Sequence, residues 1–412
     1  MNKKALGFLI AVVFIVIITL SKTNLTQQEI SLEEMPEDEA KAMTEAVCIT
    51  CHRFNTISGS VGHTHDGWQA LIDSMIILPK EQNDIIVDYL ATNYPTKPGT
   101  GPVLIPGPVN IKIKEWMAPT LGQRPHDPLA ASDNTIWWTG QMKNLLGKVD
   151  PSTGEMHEFP LEVEDSGPHG LVEDKDGNIW FTAVSGDYIG MLNPITGGVN
   201  EYPVPDGTRG PHTPIFDQSG TLWFTLQSGH VGKFVPDTEE MIVTATPTSG
   251  TYPYGIQVNS AGVPWYVDFR GNRVGNINPE TLKITEYELP HPDSRPRRIA
   301  LTPDDVVWYT DYTRGYLGRF DPNTGNVQEW LSPGGSQSKP YGITSTGNII
   351  WYSETSMRPN TLVRFDTETQ QFQSWGIPSG GGIVRMMMTT ADGDLVLACS
   401  GVNRVALVEI GT

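Results

Sequence analysis

Two kinds of hydrophobic pattern divide the chain. Between residues 40 and 94 apolar residues recur at three- and four-residue steps, the spacing of one helical face. In "DGWQALIDSM" Trp68, Leu71, Ile72 and Met75 share a face behind Asp66, the expected N-cap. "PKEQNDIIVDYLATNY" opens at Pro79 and puts Ile85, Ile86, Tyr89 and Leu90 on one stripe. Beyond residue 109 the helical period disappears. Short runs rich in Trp, Ile, Val, Phe and Tyr alternate with Gly, Pro, Asn and Asp, the pattern of strands and tight turns. "PHGLVEDKDGNIWFTA" reads as a hairpin turning at Asp176-Gly177, "DYIGMLNP" as a third strand and "TGGVNEYPVP" as a fourth.

This four-strand unit repeats. Trp137, Trp180, Trp223, Trp265, Trp308, Trp351 and Leu395 follow one another at steps of 42 to 44 residues. His126, His169, His212, Tyr254, Arg297, Tyr341 and Arg385 keep the same step, six of them directly after Pro. A period near 43 with strand-like segments predicts a β-propeller of seven four-stranded blades. The last unit stops after "NRVALVEIGT" and lacks a fourth strand, whereas "IKEWMAP" at 113–119 has the fourth-strand pattern with no blade before it. The N-terminal strand is therefore expected to close the ring on the last blade, which removes an exposed sheet edge.

The expected fold is mainly β: a seven-bladed propeller over 109–412, preceded by a small all-α domain over 40–94. The Pro/Gly run 95–108 is the linker between them, and 22–39 is an acidic spacer. At the start, Lys3 and Lys4 precede an apolar run from Ala5 to Leu20, a signal peptide or membrane anchor over 1–21. That segment places the remainder outside the cytoplasm, periplasmic in a bacterium, with membrane contact only through the N-terminus. Composition agrees with the turn-rich reading: 42 Gly, 32 Pro and 11 Trp, with 18% charged residues. The net charge of −19 argues against a nucleic-acid partner.

With three cysteines, two of them close together, a disulfide scaffold is not the reading. "CITCH" at 48–52 is instead a haem c attachment motif: Cys48 and Cys51 are spaced for two thioether bonds and His52 for an axial bond to iron. The opposite axial position falls to Met75, with His63 and His65 as alternatives. The segment resembles class I c-type cytochromes at about their minimum size, where the covalent haem would serve as the core.

The repeat, with "PHG[LI]", "DGN[IL]WFT" and "P-x-TG-x-x-x-E-[YF]" at fixed offsets, resembles the virginiamycin B lyase (streptogramin lyase) family over about 109–412. The resemblance implies a propeller that opens an antibiotic ring by elimination, with histidines in neighbouring blades and acidic residues holding Mg²⁺. Hairpin arithmetic pairs His169 with Ala183, Tyr254 with Asp268, Arg297 with Asp311 and, approximately, Tyr341 with Glu354. One channel mouth thus collects two rings of side chains. The first is His126, His169, His212, Tyr254, Arg297, Tyr341 and Arg385; the second is Gly140, Ala183, Leu226, Asp268, Asp311, Glu354 and Ala398. Asp268, Asp311 and Glu354 are the expected ligands of any divalent metal there. Where the family has its paired histidines and a carboxylate this chain has Tyr341, Arg385 and Ala398, and an arginine stays protonated near neutral pH.

Three functional readings follow. The first is an exported c-type cytochrome that exchanges electrons with a redox partner protein while the propeller binds or oxidises a small molecule. The second is a metal-dependent C–O lyase with an accessory haem unit. The third is a binding or sensor module without catalysis.

Overall fold

The computed structural model describes residues 37–50, 63–73, 76–95 and 100–411. The N-terminal segment, Cys51, His52 and Met75 lie outside the described residues. Helices α1 (Glu37–Cys48), α2 (His65–Asp73) and α3 (Lys80–Asn93) precede twenty-eight strands. Among the described residues no helix is long and apolar enough to cross a membrane.

Helix α2 begins one residue before the expected cap. The Thr64 hydroxyl accepts from the Gly67 N–H at 3.1 Å, so Thr64 and not Asp66 is the N-cap. The periodic apolar residues are buried as the pattern requires: Trp68, Leu71 and Ile72 on α2, and Ile85, Ile86, Val87, Tyr89 and Leu90 on α3. Most of them join one apolar cluster with Trp351, Leu362, Ile377, Val384, Leu397 and Val402 of the last two blades. The helices therefore lack a separate core; they complete one with the propeller.

The strands form seven four-stranded antiparallel sheets. Six blades run in chain order: β2–β5, β6–β9, β10–β13, β14–β17, β18–β21 and β22–β25. The seventh is ordered β26, β27, β28, β1, so β1 (Ile111–Met117) supplies the strand its C-terminal repeat lacks. Seven residue pairs run from Ile111↔Ile410 to Met117↔Arg404, the closure read from "IKEWMAP". The Pro/Gly linker also has a structural place. Ile105 exchanges hydrogen bonds with Ser374 at 2.9 and 3.0 Å, and Gln373 donates to the Val109 carbonyl at 2.6 Å. Its residues from 103 onward lie along the outer strand of the sixth blade and cover that edge.

In the seventh blade Met388 opposes Val396, as Leu129 opposes Trp137 in the first. Val396, not Leu395, thus holds the tryptophan position: it follows Arg385 at the interval by which Trp137 follows His126, whereas the hairpin of the sixth blade is one residue shorter.

Candidate functional site at the channel mouth

The innermost strand of every blade carries a bulge at its start. Pairing skips from Pro125↔Gly140 to Pro128↔Trp138, three steps on one strand against two on the other. The same skip follows Pro168, Pro211, Pro253, Pro296, Pro340 and Val384. One extra residue leaves the ladder, and the strand bends toward the axis. A regular hairpin count cannot see this. The proline, and not the first-ring residue, lies opposite Ala183, Leu226, Asp268, Asp311 and Glu354. In the seventh blade the residue opposite is Cys399, which replaces the expected Ala398.

Five of the seven bulges are stitched to the next blade by the hydroxyl residue of "W-x-[TS]". The Thr139, Thr182, Thr225 and Thr310 hydroxyls donate to the carbonyls of His169, His212, Tyr254 and Tyr341 at 2.6–2.8 Å. Ser353 does the same to Val384. Each of these hydroxyls also accepts from its own blade's bulge, as Thr182 does from the Gly170 N–H at 3.0 Å. The residue after the first ring is glycine in three blades (Gly170, Gly255 and Gly342), where it faces the neighbouring blade. A Cβ on Gly255 would meet the Arg298 backbone at 2.9 Å.

All seven first-ring side chains converge. The rings of His126, His169, His212 and Tyr254 follow one another at centroid spacings of 3.9, 3.8 and 3.8 Å. The Tyr254 and Tyr341 hydroxyls are 2.5 Å apart, and Arg297 reaches the Tyr254 oxygen at 3.3 Å. The Arg297 guanidinium lies 3.7 Å from the Tyr341 ring centroid and 4.2 Å from that of Tyr312, and Arg385 is 5.8 Å from Tyr341.

Asp268, Asp311 and Glu354 face elsewhere. Asp268 accepts from the Tyr252 and Arg270 amides, and Asp311 from the Arg295 and Arg314 amides and the Arg314 guanidinium. Glu354 accepts from Ser332, the Gly334 amide and Thr361. These carboxylates fasten the loops that enter and leave their blades. The structure does not gather the three expected metal ligands at one point.

The residue following the first ring had no place in the sequence reading, yet three blades use it at the axis. Asp127, Thr213 and Arg298 stand where the other "PHG" and "PYG" units have glycine, and that departure from the repeat was the available signal. Arg298, 1% exposed, donates to both Asp127 oxygens at 2.7 and 3.0 Å and to Thr213 at 3.0 Å. Asp127 is also 2.8 Å from His126 Nδ1, and Thr213 2.8 Å from His212 Nδ1. His126, Asp127 and His169 are the one group among the described residues whose donor atoms lie close enough together for a metal ion. The donor set does not fit a divalent cation, because a guanidinium already occupies both oxygens of its single carboxylate.

Burial first, then the surrounding arginines, push the His126 imidazole well below its ordinary range; burial and His126 do the same to His169, and burial and His169 to His212. Near neutral pH the stack is uncharged. Burial pushes the Tyr341 phenol up, but Arg297, Arg385 and Arg298 outweigh it and hold the group below its usual value. Tyr254 is raised by burial and by Tyr341, so Tyr341 is the more acidic of the pair.

Above this mouth lies an apolar cavity of about 330 Å³ between the helices and the propeller. Val47, Cys48, Trp68, Leu71, Ile86 and Leu90 line its helical side, and Arg124 and Arg385 belong to its propeller side. Neither alternative axial histidine lines it. His63 packs against Trp68 at a centroid distance of 4.9 Å and against Gly380; His65 is exposed and hydrogen-bonded to Asp88 at 2.9 Å.

The sequence model of the virginiamycin B lyase family matches residues 108–331 and, overlapping these, 240–411. Among solved structures, virginiamycin B lyase from Staphylococcus aureus shares 22% identity at a TM-score of 0.66, covering 73% of this chain and 99% of its own. A streptogramin B lyase shares 24% at 0.67, covering 73% and 98%. Hydrazine synthase from Kuenenia stuttgartiensis shares 14% at 0.59, covering 70% and 96%. No curated protein sequence matches.

Proposed function

Because this chain belongs to the virginiamycin B lyase family and sets a cysteine-lined cavity over its channel mouth, we propose that it is an exported haem protein. Its propeller is then the ligand or substrate site. The observation that carries this reading is the cavity: Cys48 of the "CITCH" motif and Arg385 of the first ring line the same space. Trp68, Leu71, Ile72, Ile86 and Leu90 make it apolar enough for a porphyrin, so the residues present fit a haem. Cys48 and Cys51 would hold it covalently, and His52 and Met75 would bind its iron. Bound there, the haem supplies one-electron transfer to or from a redox partner protein.

The chain's own residues exclude water and orient a ligand. The Tyr254–Tyr341 pair and the His126–His169–His212 stack form a rigid wall at the mouth, and the neutral imidazoles are proton acceptors within it. The N-terminal apolar run would tether the protein on the outer side of the membrane. A cation-dependent lyase is the weaker reading, since Arg298 takes the position a cation would need.

The test is expression of the full chain in a host competent in c-type maturation, followed by visible spectra. We expect c-type bands that persist on denaturation and vanish in Cys48→Ser/Cys51→Ser. A periplasmic small-molecule extract that reduces the haem would mark the propeller as an oxidoreductase site. A chain without c-type bands ends the proposal.

A further inference from the structure

Of the arginines at the channel mouth, one has a carboxylate partner among the described residues. Arg298 takes Asp127, whereas Arg124, Arg297 and Arg385 form no ion pair among the described residues. The Nε–H groups of Arg297 and Arg385 are buried without a hydrogen-bond partner. These arginines and His126 all lie within electrostatic range of one another. Gathering such charges is unfavourable unless an anion completes the site.

Arg124 adds a second observation. The residue before the bulge proline takes a left-handed backbone in several blades: Gly167 has φ 60° and Gly210 φ 67°. Arg124 holds the same position at φ 57°, where a non-glycine residue is disfavoured. Lys339, at φ 52°, is its counterpart in the sixth blade. Two blades thus accept backbone strain at the mouth, and both place a cation there.

We propose that Arg124 and Arg385 form a carboxylate-binding site, which takes a ligand whose apolar body fills the cavity above them. Guanidinium groups recognise carboxylates through paired N–H donors, and the apolar walls explain why a bare inorganic anion would fill only the floor. Two sources carry this chemistry: the haem's own propionate groups, or a free aromatic or aliphatic carboxylic acid. The site stands on the arginines and the cavity alone, and so does not depend on haem attachment.

The full chain as isolated, with its haem content measured, is titrated calorimetrically with 2-naphthoate and with uncharged 2-naphthalenemethanol. The same titrations are run on Arg124→Gln/Arg385→Gln and on Arg385→Lys, with circular dichroism to establish that each variant folds. A free-acid site gives naphthoate binding at least about tenfold tighter than the alcohol, an advantage lost in the double variant and partly kept with lysine. A propionate site in haem-loaded protein gives no naphthoate binding, but a double variant with a shifted haem midpoint potential and an altered pH dependence of that potential. The inference is overturned if naphthoate shows no arginine-dependent advantage and the potential of a loaded protein is unmoved. A chain isolated without haem would defeat the haem reading alone, and naphthoate binding would then decide this one.

Discussion

Asp127 and Arg298 form a buried ion pair in the channel. Both are buried, and the guanidinium binds both oxygens of the carboxylate while holding Thr213. Removing one partner leaves an uncompensated charge out of water. We therefore expect Arg298→Met to cost about 3–5 kcal/mol in urea unfolding, and Asp127→Asn/Arg298→Met to recover most of that. Equal losses in the single and double variants would mean that the pair is not what stabilises the ring. His63 sets a different dependence. Burial, with Arg358 adding to it, pushes the imidazole down to about 4, against an ordinary 6.5. Between those values the released or unfolded form binds a proton that the docked form does not. Stability is therefore complete above about pH 6.5 and is lost as the pH falls toward 4. His126, His169 and His212 add with the same sign. Hydrogen exchange should show α2 and α3 opening more readily at pH 5 than at pH 7.5, and His63→Gln should reduce that difference. A profile unchanged by the substitution would assign the pH effect to the channel instead.

At the scale of the element, the bulge and the closing strand do most of the positioning. The "W-x-T" threonine was visible as part of the repeat, but its two partners, one in its own bulge and one in the next blade, meet only when blades pack side by side. Strand β1 is legible because its pattern has no blade in front of it, and pairing with β28 completes the seventh sheet. Ile113→Pro/Lys114→Pro removes at least one ladder N–H, since successive residues alternate in bonding direction. We expect it to destabilise the propeller by about 2 kcal/mol or more and to promote self-association through the bared β28 edge. Thermal unfolding and light scattering decide this. An unchanged midpoint with a monodisperse monomer would show that the ring holds without its closing strand.

The whole molecule is a propeller with a small helical unit whose apolar face is completed by the last two blades. A period near 43, proline before the first-ring residues and an unpaired N-terminal strand determine by themselves the blade number, the closure and the membership of the first ring. Those features are local in sequence or repeat along it, so each copy reinforces the others. The facing of the second ring, the cavity under the helices and the convergence of Arg124, Arg298 and Arg385 were decided only in three dimensions. A one-residue bulge shifts which side chain opposes which, and a hairpin count has no means of registering it. Asp127 and Arg298 lie 171 residues apart in sequence and meet at 2.7 Å because blades one and five face each other across the axis. Periodicity specifies what each blade repeats; the ring alone determines which departures from the repeat touch.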